Sequence, residues 1–504
     1  MEEKREQWMS RSGFILAAVG SAIGLGNIWR FPYQAYSDGG GAFLIPYFFA
    51  LITAGIPLLI LEFSLGHKFR GSAPLTFSKL GKFEWFGWWQ TAVAFVIATY
   101  YSVIVAWAMA YTAFAIPQTW GPKPGDFLGT YLGLSDPSKW YAGGFGGLQW
   151  KVVVPLILVW AIVYFVLSRG VKGGIEKANK IFMPALFILI IIMAIRGITL
   201  PGAADGLNAL FTPDWSRITD ASVWVDAYGQ IFFSLSIAFA IMITYASYLP
   251  KKSDINNNAF ITAFANSGFS LLAGIAVFST IGFMANQQGI PIDQVAKGGI
   301  GLAFTVFPEI LNRMPMGQII GVLFFISLVF AGLSSLISIV EAFSAAVSDK
   351  FNVPRKKAVN WAVGVAALVS LLFATGSGLF LLDTVDHFIN NYGIAFAGLF
   401  EAIFLGWVLR QTKQIRTYNN ELSDFKIGAW WDVFLIVITP VVLGYMGIQN
   451  LIHEFSKPYS GYPSSLLAVG WVIVVGVVVV GFILQAMKSI NPEFAVRQKK
   501  EDVA

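Results

Sequence analysis

The chain has 504 residues, of which 56% are hydrophobic and only 12% are charged, and its formal net charge is +6. A soluble protein would carry about twice that share of charged residues, so the composition excludes a soluble globular protein and indicates a polytopic membrane protein. The absence of cysteine excludes disulfides and thiolate metal sites, and three scattered histidines do not suggest a transition-metal site.

Residues 1–12 are polar and lead into an apolar run that ends in Gly, Asn, Arg and Pro. This is not the small-residue cleavage site of a signal peptide, so we expect the segment to stay on the protein. Taking about 20 apolar residues per span, the sequence predicts twelve membrane-spanning helices. Their predicted limits are 13–36, 42–66, 88–116, 150–168, 176–198, 223–248, 257–284, 317–347, 358–376, 380–409, 429–453 and 464–487.

An even number of spans puts both termini on the same side of the membrane. With the termini inside, most of the 34 Lys and Arg residues fall in the short inner loops and tails, as the positive-inside rule requires. The outer connections, about 117–149, 199–222 and 285–316, are longer. We therefore expect a multi-pass protein of the cell (plasma) membrane with both termini cytoplasmic, and the basic net charge does not indicate nucleic-acid binding.

The first span is unsuited to a regular helix. Gly20, Gly24 and Gly26 weaken it, Pro32 removes a backbone donor, and Arg30 places a charge where charge is costly. Non-helical backbone at membrane depth persists only where it is buried in protein or lines a watery cavity. A broken first helix therefore predicts a binding site near the middle of the bilayer, as in a secondary transporter.

The sixth span is also irregular, since it places Gln230, Ser234 and Ser236 at mid-membrane. The first and sixth spans are five apart, which predicts an all-α membrane protein with an inverted five-plus-five helix repeat and broken helices 1 and 6. The predicted organisation is a cytoplasmic N-terminal segment at 1–12, a first repeat at 13–198, an extracellular connection at 199–222, a second repeat at 223–410, helices 11 and 12 at 411–487 and a cytoplasmic tail at 488–504.

Neutral oxygen atoms inside the spans are candidate sodium ligands, because sodium is a hard cation and broken helices supply further carbonyls. These candidates are Asn27, Ser234, Ser236, Asn266, Ser334, Ser335 and Ser338. Serines in spanning helices also bond back to a backbone carbonyl or aid helix packing, and Gly20 and Gly24 could serve close helix packing alone.

Four ionisable residues in or beside the spans need partners. Arg30 and Asp386 both lie on the outer side, where they either form an ion pair that closes a vestibule or are unrelated interfacial charges. Glu62 and Glu401 lie deeper and are expected to anchor the unwound segments. The inner ends of the helices carry Arg5, Trp8, Tyr248 and Asp349. These four either form an equivalent inner closure or are solvated separately.

Three segments resemble the signatures of the neurotransmitter:sodium symporters, and in particular of their bacterial branch, which includes transporters of leucine and other hydrophobic amino acids. They are Gly24-Leu-Gly-Asn-Ile-Trp-Arg-Phe-Pro-Tyr33, Gly39-Gly-Gly-Ala-Phe-Leu-Ile-Pro-Tyr47 and Gln230-Ile-Phe-Phe-Ser-Leu-Ser236. The resemblance extends from Met1 to the tenth span. The last two spans resemble the family only in being membrane-spanning segments.

The resemblance implies two sodium sites and a substrate pocket. The first sodium site would use the carbonyl of Ala22, the side chains of Asn27, Ser234 and Asn266, and the carboxylate of the substrate. The second would use the carbonyls of Gly20, Ile23 and Ala331 and the hydroxyls of Ser334 and Ser335. The pocket would consist of Ser21, Ala22, Leu25, Gly26, Ile97, Tyr101, Phe233, Ser236, Phe239, Ser335 and Ile339. Tyr101 would hydrogen-bond the substrate carboxylate, and Phe233 would cover the substrate beneath Arg30 and Asp386.

The same resemblance narrows the substrate. Gly24 stands where members of the family that carry monoamines have Asp, so the substrate is expected to bring its own carboxylate. A neutral α-amino acid fits best, because the implied pocket is apolar and has no charge to pair with a Lys, Arg or Glu side chain. Ala238 replaces a glycine of the leucine-transporting relative, which favours small to medium side chains.

The resemblance also implies chloride as a second ion. Ser270 stands where the leucine-transporting relative has a glutamate and where chloride-dependent members have a serine. Burying sodium without a counter-charge is costly. Chloride is therefore expected at Tyr47, Gln230, Ser234 and Ser270. The alternative is that Ser270 is a packing serine and that a proton or a more distant acid balances the charge.

Together these inferences predict a sodium-coupled symporter that imports neutral amino acids by alternating access. We expect no partner beyond its substrate, its ions and the bilayer. A sodium-independent exchanger of the same fold and a non-transporting amino acid sensor are the alternatives. The sequence contains no evident nucleophile–base pair, metal cluster or phosphate-binding loop, so we do not expect an enzyme.

Overall fold

The computed structural model describes residues 5–141 and 143–495, and this part of the chain is built from helices. Within it, twelve helical segments follow the predicted spans in order. They are Arg11–Ala22 with Leu25–Ser37, Gly40–Phe69, Glu84–Ala115, Trp150–Ser168, Val171–Ile198, Ala221–Ser234 with Ile241–Ser247, Ile255–Gln288, Gly317–Phe351, Arg355–Ala374, Gly378–Val408, Ala429–Gly461 and Ser464–Ala486. We call them the first to twelfth spans.

Ten of the spans are single helices that are long and apolar enough to cross a membrane, and the first is a pair of helices bent by 55°. The sixth consists of two shorter helices, Ala221–Ser234 and Ile241–Ser247, joined by residues 235–240. Helix length therefore supports up to eleven crossings in residues 5–141 and 143–495. It does not confirm the predicted count of twelve, because the interruption leaves neither half of the sixth span long enough.

Shorter helices connect the spans. They are Ala73–Leu80, Pro124–Leu132, Ala203–Phe211, Phe307–Arg313 and Thr412–Leu422. The outer connection after Pro124–Leu132 pairs with the break between the ninth and tenth spans, where an antiparallel bridge joins Leu148 and Thr375. The ninth and tenth spans are thus separate, as the sequence predicts.

The break in the first span lies at Gly24. Gly24 is extended, with φ −118° and ψ −170°, and the second helix begins at Leu25. The Gly24 N–H donates to Asn27 Oδ1 at 2.9 Å, so a side chain supplies the acceptor that a continuous helix would have supplied from its backbone. Pro32 lies inside Leu25–Ser37 without ending that helix, so the break depends on Gly24 and Asn27.

The break in the sixth span is held in an unusual backbone conformation. Ser236, Ala238 and Ala240 all have positive φ, at 55°, 67° and 68°. Non-glycine residues adopt this region at a cost of the order of 1 kcal/mol or more each, so surrounding contacts must hold them there. The Ala238 N–H donates to Glu62 Oε1 at 2.6 Å, and Ser236 Oγ donates to the Ser21 carbonyl at 2.9 Å. Glu62 therefore anchors the unwound segment, as expected.

The spans that carry the breaks and their neighbours lie at the centre of the molecule. Of the most apolar stretch of each span, 83% is buried in the third span and 78% in the seventh, but only 28% in the twelfth. The twelfth span consequently presents most of its apolar surface to lipid, and the polar residues of the central spans are shielded from it.

Candidate ion and substrate site

A cluster of buried amide and hydroxyl groups lies beside the first break. Asn27 Nδ2 donates to Asn266 Oδ1 at 2.9 Å and lies 3.1 Å from Ser234 Oγ, and Asn266 Nδ2 lies 2.6 Å from the same Ser234 oxygen. Ala22 ends the preceding helix at this point and is buried. The structure thus brings together the four residues of the first predicted sodium site, and their oxygens suit a hard cation.

The second predicted sodium site lies where the eighth span meets the first break. Ser335 Oγ is 3.3 Å from the carbonyl of Ile23 and 3.3 Å from that of Ser21, and Ser334 Oγ donates to the Ala331 carbonyl at 3.0 Å. Unwound carbonyls and the Ser335 hydroxyl therefore meet here, whereas the Ser334 hydroxyl makes the bond to its own helix that serines in spanning helices commonly make.

Gly20 belongs to the same predicted site and also serves close helix packing, the alternative that the sequence left open for it. A Cβ at Gly20 would lie 2.3 Å from Asn179 Oδ1 and 2.8 Å from Met183 Sδ of the fifth span. Asn179 is completely buried, and its Oδ1 has no hydrogen-bond partner. This amide oxygen next to Gly20 is a further polar group that the sequence analysis missed.

Hydroxyl and amide donors gather at the predicted chloride site. Tyr47 Oη donates to Ser267 Oγ at 3.1 Å, and Ser270 Oγ accepts from Asn27 Nδ2 at 2.8 Å. Gln230 is fully buried, and neither its Nε2 nor its Oε1 has a partner. A buried amide without a partner is costly. An anion could accept from Gln230 Nε2, whereas Gln230 Oε1 would still need a donor. Amide N–H and hydroxyl groups are the kind of donors that a halide requires.

Ser267 belongs to this cluster and was not predicted. Its spacing could have indicated this role, because Asn266, Ser267 and Ser270 occupy neighbouring positions on one face of the seventh span. In the seventh span, from Ile255 to Gln288, there is no acidic residue. The described residues also contain no cluster of three or more His, Asp or Glu side chains that could hold a metal ion.

The predicted substrate pocket lies between the two breaks and the third and eighth spans. Tyr101 Oη accepts from the Leu25 N–H at 3.2 Å. A Cβ at Gly24 would lie 3.2 Å from that tyrosine oxygen and 3.3 Å from Ser335 Oγ, so the glycine lets the first break approach both hydroxyls closely. Two further predicted pocket residues meet here, since Ser21 Oγ lies 3.5 Å from Ser236 Oγ.

The side chains that were predicted for the pocket walls, Ile97, Phe239 and Ile339, are apolar and buried. Ser338 was named only as a candidate oxygen, and its hydroxyl lies 2.7 Å from Ser21 Oγ at the pocket edge. Ala238 packs towards the tenth span, because a Cβ at Gly398 would lie 3.5 Å from the Ala238 Cβ.

Phe233 forms the cover over this region. A Cβ at Gly26 would lie 2.5 Å from Phe233 Cε1, so the ring rests directly on the Gly26 backbone. The Arg30 guanidinium lies over the other side of the Phe233 ring, 5.4 Å from its centroid, in a cation–π arrangement. Glycine is thus required at position 26 because the Phe233 ring approaches the backbone closely. The composition of the first span had indicated only that Gly26 weakens the helix.

The outer side of the site is open. A cavity of about 690 Å³ is lined by Tyr101 and Phe233 and extends past Arg30 and Asp386. The Asp386 carboxylate accepts from Tyr100 Oη at 2.7 Å and from Asn390 Nδ2 at 2.8 Å. Among the ion pairs of the described residues there is none between Arg30 and Asp386, so the two predicted outer-gate residues face one vestibule without contact.

The inner side is closed by the residues that were predicted for it. Arg5 Nη1 donates to Asp349 Oδ1 at 2.9 Å, and the Arg5 guanidinium lies 5.1 Å from the Tyr248 ring centroid. Trp8 Nε1 donates to the Tyr245 carbonyl at 2.9 Å. Burial alone would lower the pKa of Arg5, but the attraction of Asp349 outweighs it and the pKa is raised, so Arg5 stays charged.

A second ion pair lies behind this closure and was not predicted. Glu341 is fully buried and accepts from Arg355 Nη1 and Nη2 at 2.7 and 2.6 Å and from Tyr248 Oη at 2.6 Å. Tyr248 therefore connects the two ion pairs. Bidentate pairs of this kind give geometric specificity, so the inner side is held by a network rather than by one contact.

Comparison with known proteins agrees with this architecture. The model of the sodium:neurotransmitter symporter family matches residues 5–122 and 137–491. An uncharacterized sodium-dependent transporter of Methanocaldococcus jannaschii is 44% identical over 491 residues, which cover 97% of this chain and 99% of the relative. A sodium- and chloride-dependent GABA transporter of Drosophila melanogaster is 30% identical over 94% of this chain, which spans 54% of that protein.

Among solved structures, the crystal structure of MhsT in complex with L-phenylalanine is similar, with a TM-score of 0.76 and 33% sequence identity. The match covers 88% of this chain and 99% of the MhsT chain. The matched family and fold are those of transporters and not of enzymes.

Proposed function

Because the chain belongs to the sodium:neurotransmitter symporter family and is a sodium-coupled, multi-pass membrane transporter, we propose that it imports neutral amino acids by sodium symport. The observation that carries this proposal is the outward-open cavity that reaches the first break. Leu25 and Gly26 of that break line the cavity together with Tyr101 and Phe233.

The chemistry of this space suits an α-amino acid. Tyr101 Oη can donate to a carboxylate, and the N-terminal end of the Leu25–Ser37 helix carries a partial positive charge that favours an anion. The carbonyls of the two breaks can accept from an α-amine. The walls formed by Ile97, Phe239 and Ile339 suit an uncharged side chain. The complex of MhsT with L-phenylalanine supports an amino acid as the substrate class.

Two sodium ions are proposed to travel with the substrate. The first would be held by the oxygens of Ala22, Asn27, Ser234 and Asn266 and by the substrate carboxylate, which makes binding of ion and substrate mutually dependent. The second would be held by Gly20, Ile23, Ala331, Ser334 and Ser335. Both sets draw on the breaks, so sodium would order the segments that form the substrate pocket.

A requirement for chloride is proposed at Tyr47, Gln230, Ser234 and Ser270, with Ser267 added. The support is the buried Gln230 amide, whose N–H groups have no partner, and the absence of an acid from the seventh span. The name of the Drosophila relative, a sodium- and chloride-dependent transporter, agrees with such a requirement. Chloride there would offset the charge of a neighbouring sodium ion.

Transport would proceed by alternating access, starting from an arrangement that is open outside and closed inside. Substrate and sodium would favour closure of the vestibule over Phe233 and an Arg30–Asp386 ion pair. The Arg5–Asp349 closure would then open and release sodium and substrate inward. Ligands drive such a change only through their different affinities for the two states, and each charge moved inward gains about 2.3 kcal/mol per 100 mV.

This proposal includes the predicted placement in the cell (plasma) membrane with both termini cytoplasmic, and the domain limits that the sequence predicts. Equilibrium binding of a panel of labelled neutral amino acids to the purified protein tests the substrate class. We expect saturable binding of one or a few of them in sodium chloride, and its loss when choline replaces sodium. Binding that is indifferent to sodium would favour the exchanger, and no binding of any neutral amino acid would refute the substrate assignment.

A further inference from the structure

A second cavity lies on the lipid-facing side of the molecule, away from the substrate site. It measures about 710 Å³ and is lined by the fourth and fifth spans, with Met109 of the third span at its base. Its walls include Leu158, Phe165 and Ile181, which are 52%, 54% and 65% exposed. A groove with such walls cannot face water without cost, so it is a place for a hydrocarbon chain.

Two cations lie at one end of this groove. Arg169 and Lys177 both line it and are both exposed. Neither forms a salt bridge within residues 5–141 and 143–495, because the neighbouring Glu176 is paired with Lys180 at 2.7 Å. The Arg169 guanidinium lies 3.7 Å from the centroid of the Phe165 ring, which holds it against the groove.

Glycine gives the groove its depth. Val171–Ile175 is a wide helical turn at the start of the fifth span, and Gly173 and Gly174 of this turn line the groove. A Cβ at Gly173 would meet only the Arg169 Cβ, at 3.9 Å. The recess next to the two cations is therefore open space that a larger residue would fill.

We propose that this groove is a binding site for an anionic phospholipid. The phosphate would bind Arg169 and Lys177, and an acyl chain would lie along Leu158 and Ile181. The pairing of an apolar groove with uncompensated cations at the end of two membrane spans matches the two parts of such a lipid and not those of a zwitterionic one. The inference is independent of the transported substrate.

Native mass spectrometry of the detergent-solubilised full chain tests this proposal. The protein is exposed to equal amounts of phosphatidylglycerol and phosphatidylcholine, and bound lipid is counted. We expect preferential retention of phosphatidylglycerol, reduced about tenfold or more in Arg169→Gln/Lys177→Gln, since each basic contact near a lipid surface contributes about 1 kcal/mol.

Lys356→Gln/Lys357→Gln is the matched control, because both lysines are exposed, lie in the first turn of the ninth span and do not line the groove. It should retain phosphatidylglycerol as the wild type does. Gly173→Leu keeps the charge and fills the recess, and it should lower retention of the lipid as well. Equal retention of the lipid by Arg169→Gln/Lys177→Gln and by the wild type would overturn the proposal. An equal loss in the control would also overturn it, because the lipid would then bind to surface charge without specificity.

Discussion

Arg5 and Asp349, which lie 344 positions apart in the sequence, form a 2.9 Å ion pair that closes the inner side of the protein. Arg5 also donates to Ser247 Oγ at 2.9 Å, so the N-terminal segment is tied to the sixth and eighth spans together. Because the cavity above Tyr101 is open outwards at the same time, the structure represents the outward-facing end of the proposed cycle.

Arg5→Ala is expected to open the inner side. A cysteine in place of Thr244 can report this, because Thr244 is buried and its carbonyl accepts from Ser247, one turn below the ion pair. The chain has no cysteine of its own, so labelling of Thr244→Cys is specific. Labelling should be several-fold faster with Arg5→Ala. Arg11→Ala removes the same charge from a half-exposed side chain and should leave labelling unchanged; equal acceleration by both would contradict the assignment.

Tyr101→Phe is expected to weaken substrate binding without unfolding the protein. The lost hydroxyl would otherwise donate to the substrate carboxylate, and hydrogen bonds to charged groups contribute about 1.5–3 kcal/mol, which corresponds to an increase in Kd of about 10- to 100-fold. Tyr111→Phe is the matched control on the same helix, because the buried Tyr111 hydroxyl has no partner. Binding is measured by titration with the labelled substrate. Unchanged binding in Tyr101→Phe would show that the Tyr101 hydroxyl does not bind the substrate.

Gly26→Ala is expected to displace Phe233. The new Cβ would lie 2.5 Å from Phe233 Cε1, so the ring must move and with it the Arg30 guanidinium. Forcing one methyl into a packed site costs about 1–3 kcal/mol, so KM for uptake should rise about tenfold. Gly364→Ala on the ninth span, where nothing lies within 4 Å of the new Cβ, should leave KM unchanged. A wild-type KM in Gly26→Ala would show that Phe233 does not cover the substrate.

Ser270→Glu is expected to make transport independent of chloride. The carboxylate would supply, at the Asn27 amide, the negative charge that chloride is proposed to supply. Uptake in gluconate buffer should therefore approach that in chloride for Ser270→Glu, whereas Ser270→Gln, which has the same size and no charge, should not transport without chloride. Chloride dependence that persists in Ser270→Glu, or wild-type transport without chloride, would refute the site.

The carboxyl of Asp38, at the outer end of the first span, makes stability depend on pH. Burial raises its pKa to about 7, and the neighbouring Asp226 contributes. An unfolded Asp titrates at about 3.9, so the folded protein binds the proton more tightly. Stability should then fall as pH rises from about 4 to about 7. Asp38→Asn should lose this dependence and have a higher Tm than the wild type above pH 7, as thermal unfolding in detergent can test; parallel curves would contradict it.

Local composition was sufficient to predict where the backbone breaks. Gly24 and Asn27 lie within a few residues of each other, and the unwound Ser236–Ala240 segment follows from polar residues at mid-membrane. Asn179 and the Glu341 network could not be predicted. Asn179 meets Gly20 of the first span, and Glu341 accepts from Tyr248 at the end of the sixth span, and the sequence alone does not show which spans touch. For the same reason the sequence cannot predict which gate is closed, since this depends on contacts such as Arg5–Asp349 that only one conformation makes.

The central claim is coupling of amino acid uptake to sodium, and proteoliposomes measure it most directly. Uptake of a mixture of labelled neutral amino acids is followed with an inward sodium gradient, with equal sodium on both sides, and with choline in place of sodium. The account predicts accumulation above equilibrium only with the gradient, and no uptake in choline. Equal uptake in choline and in sodium would contradict it and identify a sodium-independent exchanger, and binding without uptake would identify a sensor.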